Sequence, residues 1–363
     1  MKGENFMFFP KLRGWRPCWR GRWRALKSQI LAASLTCMVL FVYACTQDLL
    51  QGPLHFSLLW GTSPPTQVTL LIWYEPFGKL RRLGDCRVLF NITGCHLTTN
   101  RSLVQEADTV LFHHRDIGDF GDFPFEKRLP SQKWIWMNFE SPSHSPWLSS
   151  LGGVFNWTMS YRVDSDIFVP YGYLFSRKRS KIILPRKKKL VAWVISNWNE
   201  DHERVQYYNQ LREYIDIDIY GRYGMDLKQD NIVKTVSEYK FYLAFENSLH
   251  TDYITEKLWR NAFKSSAVVP IVMGPSRYNY EMFLPRNSFI HVDDFSNPRK
   301  LAMYLKFLDK NMHMYRRYFT WRKRYDVHVT SFWDEHYCTA CETVKAAGSQ
   351  HRTITDLAGW FES

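Results

Sequence analysis

The sequence predicts an α/β fold with two doubly wound, Rossmann-like parallel sheets and a cleft between them. Short, continuously apolar segments predict strands that are buried on both faces, and segments of helical length separate them. This alternation is found both before and after a basic stretch at residues 177–189. A chain of 363 residues with 45% hydrophobic residues is long enough for two such domains.

The positive charge of the chain is concentrated at its N-terminus. Residues 1–29 contain eight Lys or Arg residues and one acidic residue, and they account for more than half of the net charge of +13. Residues 30–45 carry no charge, so the remaining 318 residues hold only +6. The distribution therefore argues against a nucleic-acid partner and predicts a basic cytoplasmic tail.

An uncharged stretch, residues 30–45, follows the tail and predicts a transmembrane anchor. Positive residues ahead of a first apolar segment favour a cytoplasmic N-terminus, so we expect a single-pass type II membrane protein whose remainder is exported. The alternatives are a cleaved signal peptide, for which the basic region is long, and a buried helix. Residues 46–65 contain Gly-Pro and Pro-Pro turns and are expected to form a stem.

Two folded domains are expected after the stem. In the N-terminal domain, residues 66–185, strands are predicted at 68–73, 109–113 and 134–139. In the C-terminal domain, residues 186–363, the predicted elements are strands at 190–196, 215–220, 239–245 and 267–273, and helices at 203–214, at 253–263 and from Pro298 onward. The basic stretch 177–189 is interpreted as a connector between the domains, with a patch for acidic glycans as the alternative.

The cysteines agree with export. Four of them, Cys86, Cys95, Cys338 and Cys341, lie beyond the predicted anchor, and an even number in an oxidising compartment suggests two disulfides. The Cys-Thr-Ala-Cys segment also fits a redox motif or half of a zinc site, but no second CxxC completes the zinc site. Of the three connectivities, those that join the first pair to the second close the largest loops and are favoured.

Three sequons also lie beyond the anchor, at Asn91, Asn100 and Asn156. Each has the Asn-X-Ser/Thr pattern that accepts N-linked glycans. Such tripeptides also arise by chance, so each alone is a weak signal. Together they predict an exported glycoprotein.

Polar residues follow a predicted buried strand within residues 239–275. The segment Glu-Asn-Ser comes at the carboxyl end of that strand, where ligands of open α/β sheets bind. The next helix is expected to begin near residue 251 or 252, so that Tyr253, Glu256 and Lys257 share one face near an anion-attracting end. A carboxylate for ribose hydroxyls beside a cation for diphosphate suits a nucleotide-sugar. The alternative is an ordinary Glu–Lys surface pair beside a packing tyrosine.

Glu140 is the candidate catalytic residue of the N-terminal domain. It ends the apolar segment WIWMNFE and is followed by Ser-Pro, which stops the strand. A lone carboxylate at the mouth of a sheet, facing the other domain, can act as a general base. The alternative is a carboxylate that only caps or solvates a loop.

These segments resemble the signature of the α1,3-fucosyltransferases, an inverting family that uses GDP-fucose. The motifs are FENS…DYITEKLWRNA…VPIVMG, FESPSHSP at 139–146, YRVDSDIFVPYG at 161–172, VAWVISNW at 191–198 and a terminal CTAC. The resemblance extends over most of residues 66–363. It implies a GT-B-like fold and a Golgi membrane enzyme, with its catalytic portion lumenal, that transfers fucose to a glycan on glycoproteins or glycolipids.

The resemblance also implies roles for individual residues. Four residues would bind the donor, and Arg204 would hold its diphosphate; the four are Asn247, Tyr253, Glu256 and Lys257. Glu140 matches the family's base, which takes the acceptor proton while that oxygen attacks the anomeric carbon. Cationic side chains would stabilise the leaving diphosphate, so no cofactor or metal is obligatory and a divalent cation is at most a stimulant. Two segments, 164–166 and 216–218, have the letters of a DxD motif but lack its usual preceding apolar strand.

Arg115 is the candidate for acceptor specificity. In this family, Arg at that position of the His-His-Arg-Asp segment accompanies use of Galβ1-4GlcNAc, whereas Trp accompanies the β1-3 isomer. The chain most resembles the leukocyte-type branch that forms sialyl Lewis x, although it lacks that branch's CxxC between residues 221 and 240. The expected reaction is transfer to O3 of GlcNAc in neutral or sialylated N-acetyllactosamine, giving Lewis x-type products. The alternatives are an inactive Golgi glycan-binding relative and a lumenal glycosidase.

Overall fold

The first sheet of the protein is a six-stranded parallel sheet. The computed structural model describes residues 67–118, 120–179, 181–264, 267–348 and 352–363. Among these residues the strands of the first sheet are β1 (Val68–Ile72), β2 (Cys95–Thr98), β3 (Thr109–His113), β4 (Lys133–Asn138), β5 (Trp157–Ser160) and β6 (Ile167–Phe168). Their order is β2-β1-β3-β4-β5-β6, with every neighbouring pair parallel.

The second sheet is parallel as well. Its strands are β8 (Lys189–Val194), β9 (Asp218–Tyr220), β10 (Tyr239–Phe245), β11 (Val269–Met273) and β12 (Ile290–His291), in the order β12-β11-β10-β8-β9. A separate antiparallel pair consists of β7 (Gly172–Ser176) and β13 (Tyr325–Val329). Two parallel sheets confirm the predicted α/β class. Both lie within one compact unit, Pro64–Ser363.

Helices connect and cover these strands. In chain order the described helices are α1 (Cys86–Phe90), α2 (Glu203–Leu211), α3 (Ile232–Val236), the π-helical α4 (Lys257–Lys264), α5 (Arg277–Phe283), α6 (Pro298–Lys310), α7 (Met312–Arg317), α8 (Asp334–Ala347) and α9 (Leu357–Glu362). The predicted start of α6 is confirmed, since Pro298 is its first residue and the Asn297 side chain accepts a hydrogen bond from the Lys300 amide at 3.0 Å.

The second sheet separates two cores. Leu243 and Ile271 pack on one face with α2 and α6, whereas the neighbouring Tyr242 and Val272 pack on the other face with α3, α4 and α5. Successive residues of a strand point to opposite faces, so a strand covered on both sides is apolar at every position. Burial of both faces explains why continuous apolar segments of the sequence predicted the positions of these strands.

The chain returns to the first sheet after it has formed the second. Tyr337 and Val344 of α8 share a core with Leu70 of β1, and Leu357 and Phe361 of α9 join the same core. Two disulfides hold α8 in place. They are Cys86–Cys338, to α1, and Cys95–Cys341, to β2, with Cα–Cα distances of 5.4 and 6.0 Å. The favoured long-range pairing is therefore the one that the structure contains.

The basic stretch crosses from β7 to β8, and the predicted domain boundary between residues 185 and 186 falls within it. Arg177 Nη1 lies 3.4 Å from a carboxylate oxygen of Asp326, and Lys189 Nζ lies 3.3 Å from one of Asp218. These contacts join both ends of the stretch to neighbouring strands, and its role as a connector between two domains stays a prediction. The alternative of a patch for acidic glycans stays a prediction.

None of the described helices is both long and apolar enough to cross a bilayer. The predicted tail (1–29), anchor (30–45) and stem (46–65) lie outside the described residues. Their assignment therefore stays a prediction from the sequence.

Candidate active site

Two loops meet at the carboxyl ends of β4 and β10. The hydroxyl of Ser248 donates to Ser141 Oγ at 2.6 Å, and Ser143 Oγ lies 2.6 Å from His250 Nε2. Ligands of open α/β sheets bind at the carboxyl ends of strands. The contact between the loops therefore unites the ligand-binding edges of both sheets.

Glu140 stands at the first-sheet side of this contact. Its backbone amide donates to Asn138 Oδ1 at 3.1 Å, and the side-chain Nδ2 of Asn138 donates to Ser145 Oγ at 2.7 Å, so the loop is fixed at both ends. The Glu140 side chain is 31% exposed, and its Oε1 lies 3.6 Å from Arg115 Nη1. An accessible carboxylate beside a guanidinium can receive a proton from a bound ligand.

Tyr253, in the loop after β10, packs into the core of the first sheet, where it meets two other phenols. Its ring centroid lies 5.0 Å from that of Tyr161 and 6.4 Å from that of Tyr171, whose hydroxyl donates to the Phe139 carbonyl. Burial, reinforced by nearby carboxylates that include Glu140, holds the pKa of Tyr253 well above its usual value. Tyr253 is therefore a neutral hydrogen-bond donor.

A buried ion pair marks the second-sheet side. Glu246 follows β10, its side chain is fully buried, and it accepts hydrogen bonds from the Thr255 amide (2.8 Å), the Thr255 hydroxyl (2.7 Å) and Lys257 Nζ (2.8 Å). Burial raises the pKa of Glu246, and Lys257 opposes that effect. Burial alone would lower the pKa of Lys257, but Glu246 and Glu256 raise it above its ordinary value, so the ammonium stays charged.

Glu256 is the second carboxylate on this lysine. Its Oε1 lies 3.4 Å from Lys257 Nζ. Burial tends to raise the pKa of Glu256, but Lys257 and the hydrogen bond from Thr255 outweigh it and lower the pKa. The Lys257 ammonium therefore contacts two carboxylates. Its charge is already partly compensated, so it is less available to an anionic ligand than the sequence predicted.

The predicted helix start near residue 251 or 252 is wrong. Asp252 has a left-handed φ of 61°, and its carboxylate accepts hydrogen bonds from the Val163 amide (3.0 Å) and the Asn279 side chain (2.6 Å). The first helical bonds instead go to the Thr255 carbonyl, so the helix begins after that residue. Tyr253 consequently lies in the preceding loop and does not share a helix face with Glu256 and Lys257.

Arg204 of α2 reaches the same region. Only 6% of the residue is exposed, and Nη2 donates to the Asn197 carbonyl at 2.7 Å. Burial lowers the pKa of Arg204, while Glu246, Tyr253 and Glu256 act in the opposite direction, which places these groups near the guanidinium. Arg204 Nε has no hydrogen-bond partner within the described residues. A buried N–H without a partner is uncommon and fits an anionic ligand.

Both halves of the chain match models of a known protein family. Residues 65–172 match the family model described as the fucosyltransferase N-terminal domain, and residues 184–360 match the C-terminal domain of glycosyltransferase family 10 (fucosyltransferase). Human alpha-(1,3)-fucosyltransferase 4 is 47% identical over an alignment 399 residues long, which covers 96% of this chain and 73% of the relative. The chain belongs to the α1,3-fucosyltransferase family. It is accordingly a glycosyltransferase, an α1,3-fucosyltransferase of the leukocyte type.

Other relatives agree with this assignment. The mouse protein named 4-galactosyl-N-acetylglucosaminide 3-alpha-L-fucosyltransferase 9 is 50% identical over 298 residues, 81% of this chain and 82% of the relative. A crystal structure of an alpha1,3-fucosyltransferase with GDP-fucose aligns with 18% identity and a TM-score of 0.47, over 72% of this chain and 83% of that chain. The family assignment rests on the sequence matches. The alternatives of an inactive relative and of a glycosidase have no support among them.

The other predicted site residues of this fucosyltransferase lie around the same loops. Arg115 follows β3, and its guanidinium carbon lies 5.6 Å from the centroid of the Phe77 ring, beside Glu140. Asn247 is half-buried next to Ser248, whose hydroxyl lies 3.3 Å from Asn247 Oδ1. The structure thus brings the candidate base, the candidate acceptor residue and the candidate donor residues together.

The two DxD-like segments of the fucosyltransferase are occupied by structural hydrogen bonds. Asp164 accepts from the Arg162 guanidinium at 2.9 Å, and Asp166 accepts from the Thr158 amide at 2.8 Å. Asp218 accepts from the Tyr239 hydroxyl at 2.5 Å. In the part of the chain that the structure describes, no cluster of three or more His, Cys, Asp or Glu residues could hold a metal ion.

Sequence reasoning missed the structural importance of Glu246 and Gly274. A Cβ on Gly274 would lie 2.6 Å from the Tyr280 hydroxyl and 3.2 Å from Glu246 Cγ, so only glycine fits without displacing them. Both residues directly follow a buried strand of the second sheet. A carboxylate and a glycine at the ends of adjacent strands were the available signal.

Proposed function

We propose that the protein transfers L-fucose from GDP-fucose to O3 of GlcNAc in N-acetyllactosamine-type glycans, with inversion at the anomeric carbon. The observation that carries this proposal is the contact between the loops that follow β4 and β10. It sets an accessible carboxylate, Glu140, on the acceptor side, opposite a group of cations and phenols on the donor side. Inverting transfer needs a single base on the acceptor side and charge stabilisation on the donor side.

The architecture that we propose is GT-B-like. Each parallel sheet would act as a Rossmann-like domain, with the acceptor bound by the first and GDP-fucose by the second. Two features support this arrangement: helices cover both faces of the second sheet, and polar residues collect at the carboxyl ends of β4 and β10. The cleft would then lie between the two loops.

Glu140 would take the proton of the acceptor O3 as that oxygen attacks the anomeric carbon of fucose. The Arg115 guanidinium, 3.6 Å away, would help to orient this carboxylate. The other nearby carboxylates are committed elsewhere, since Glu246 is buried against Lys257 and Thr255, and Glu256 also contacts Lys257. A single carboxylate on the acceptor side suits transfer, whereas a glycosidase needs a pair of carboxylates that face each other.

Arg204 and Lys257 would bind the diphosphate and stabilise its charge as it departs. Arg204 Nε has no hydrogen-bond partner in the described part of the chain, which supports this role, because an incoming phosphate oxygen would supply one. Tyr253 and Asn247 would hold the rest of the donor as hydrogen-bonding groups, and Glu256 would accept from the ribose hydroxyls. Preorganised donors of this kind lower the barrier for the leaving group without further rearrangement.

We also propose that the protein is a single-pass type II Golgi membrane protein whose catalytic portion is lumenal. The basic tail and the uncharged segment 30–45 support this topology, and the two disulfides fit an oxidising compartment. Protease protection of sealed microsomes tests it. Digestion of the catalytic portion from outside intact vesicles would contradict the topology.

The full chain in detergent tests the reaction. It is incubated with GDP-fucose and with Galβ1-4GlcNAc, its α2,3-sialylated form or the β1-3 isomer, and the linkage of the product is determined. We expect transfer to O3 of the β1-4 acceptors, and the sialylated form distinguishes the branches of the family. Failure to transfer to any acceptor would contradict the proposed function, and an assay with EDTA shows whether a divalent cation stimulates the reaction.

A conservative variant tests the base. Glu140→Gln should reduce transfer about 100- to 10,000-fold, the usual contribution of a general base. It should leave GDP binding intact, because the donor residues lie on the second sheet. Glu342→Gln, at an exposed position on α8, is the matched control. Full activity of Glu140→Gln would contradict the assignment of the base.

A further inference from the structure

A cavity of about 590 Å³ opens beside Glu140 at the carboxyl ends of β3 and β4. Its walls are His114, Arg115, Ile117 and the segment 142–147. The volume lies within the roughly 300–1,000 Å³ of small-ligand sites. Because Arg115 lies 3.6 Å from Glu140, a ligand in this cavity would lie next to the proposed base.

Trp147 at the edge of this cavity is unusual in two respects. It is 72% exposed, and its backbone has the left-handed φ of 67°, which bulky residues rarely adopt. Within the described residues its indole N–H has no hydrogen-bond partner, and its ring contacts no other aromatic ring. The packing of the described residues therefore gives no reason for a large ring in a strained backbone. Such strain often accompanies a binding site.

The chemistry of the cavity suits a sugar. A pyranose presents a face of C–H bonds that packs against an aromatic ring and an edge of hydroxyls that needs polar partners. Trp147 supplies the ring and Arg115 supplies N–H donors. His144 Nδ1 lies 3.0 Å from Ser141 Oγ, which leaves Nε2 for a ligand. None of the described residues that line the cavity is a carboxylate, so the described lining suits neutral and anionic sugars alike.

The proposed reaction indicates which sugar of the acceptor would occupy the cavity. In N-acetyllactosamine, galactose is attached to O4 of GlcNAc, and the reacting O3 is on the adjacent carbon. When O3 meets Glu140, the galactose must therefore lie within a few ångströms of the base. The cavity beside Glu140 and Arg115 is in that position.

We propose that Trp147 is the platform on which the galactose ring of the acceptor stacks, and that it thereby selects N-acetyllactosamine over GlcNAc alone. This assignment rests on the proposed function. Trp147 touches the acceptor next to the reacting sugar, so it acts on acceptor affinity and not on the donor.

Two substitutions test the platform in the full chain. Trp147→Gly removes the ring and also suits the left-handed φ, and Trp147→Phe keeps an aromatic surface. The measurements are kcat/KM for Galβ1-4GlcNAc and for a GlcNAc glycoside, the KM for GDP-fucose, and the Tm. Tyr278→Ala is the control, because Tyr278 of α5 is also an exposed aromatic residue, at 76%.

We expect Trp147→Gly to lower the preference for Galβ1-4GlcNAc over GlcNAc by about fivefold or more, an effect in the range of one aromatic contact. The KM for GDP-fucose should not change, and the Tm should stay equal or rise. Trp147→Phe should retain most of the preference. A preference in Trp147→Gly equal to that of the wild type, or a fall in Tm with equal losses on both acceptors, would overturn the platform. Wild-type protein that fucosylates neither acceptor would instead overturn the proposed function itself.

Discussion

Ser141 and Ser248 join the two halves of the candidate active site through a hydrogen bond of 2.6 Å between their Oγ atoms. Ser141 is completely buried, and each serine directly follows a candidate functional residue, Glu140 in one loop and Asn247 in the other. The bond therefore fixes the distance between the proposed base and the proposed donor site. Small displacements of reacting groups cost rate, so this bond should matter for transfer.

Truncation of either serine should slow fucose transfer. A hydrogen bond contributes a net of about 0.5–1.5 kcal/mol, so Ser141→Ala and Ser248→Ala should each lower kcat/KM about two- to tenfold. Because one substitution already breaks the bond, the double variant should lose little more than either single variant. Kinetics on the four proteins measure this coupling, and Ser150→Ala at an exposed position is the control. Fully additive losses would show that the serines act independently.

Loss of the Lys257 ammonium should weaken donor binding and destabilise the fold together. Glu246 is fully buried and loses its charged partner in Lys257→Ala, which typically costs about 3–5 kcal/mol of stability. If Lys257 also binds the diphosphate, the Kd for GDP should rise about 10- to 100-fold. Calorimetric titration with GDP and thermal unfolding measure both effects.

The double variant Lys257→Met with Glu246→Gln separates the two effects. It removes the unpaired buried charge, so most of the stability should return while GDP affinity stays low. Lys306→Ala, at an exposed position on α6, is the control for the loss of one positive charge. Wild-type affinity for GDP in the double variant would show that Lys257 is structural only.

The three sequons should differ in glycan occupancy. Asn91 and Asn100 are exposed, whereas Asn156 is 5% exposed. The Asn156 side chain accepts from the Trp134 amide at 2.8 Å and the Arg128 guanidinium at 2.7 Å, and it donates to the Arg352 carbonyl at 2.8 Å. A glycan on this amide would displace all three contacts. We therefore expect glycans at Asn91 and Asn100 only.

Mass analysis after secretory expression checks this expectation. Asn91→Gln and Asn100→Gln should each reduce the mass by one glycan, whereas Asn156→Gln should leave the glycan mass unchanged and lower the stability. The exposed positions are controls for the buried one. A glycan at Asn156 in folded, active protein would contradict the burial argument.

The sequence predicted the central strands well and the short ones poorly. The observed bounds of β3 and β10 are those predicted, because burial on both faces makes every residue apolar. The helix predicted at residues 203–214 ends early, at Leu211, and the strand predicted from residue 215 begins only at Asp218. Among the described strands, β2, β5, β6, β7, β12 and β13 were not predicted. Four of them have only two to four residues, which carry too little periodicity, and β7 and β13 form an antiparallel pair outside both parallel sheets.

The candidate site could be predicted only in part. Glu140 and Lys257 stand at strand or helix ends, where the sequence pattern is readable. The start of α4 could not be found locally, because contacts of Asp252 with Asn279 and Val163 decide it, 27 and 89 residues away in sequence. The ion pair of Glu246 likewise depends on a turn that forms only in the folded chain.

Acidification should destabilise the protein in part through His336. This histidine is completely buried, and its ring centroid lies 4.3 Å from those of Phe139 and Phe332. Burial lowers the pKa of His336 from 6.5 to about 3. Between these two pH values His336 is protonated in the unfolded chain but neutral in the folded chain. Stability is therefore lost as the pH falls from 6.5 towards 3, by about 1.4 kcal/mol per pH unit for this residue.

The variant His336→Phe should remove this dependence. Its free energy of unfolding, relative to the wild type, should increase as the pH falls from 7 to 4, and urea denaturation with intact disulfides measures the difference. The exposed His313 provides the control His313→Phe, whose difference from the wild type should stay smaller. Parallel curves for wild type and His336→Phe would mean that the folded protein accommodates the imidazolium. In that case a protonated His336 would contact Phe139, the residue that directly precedes the proposed base, so acid could act on the active site through this contact.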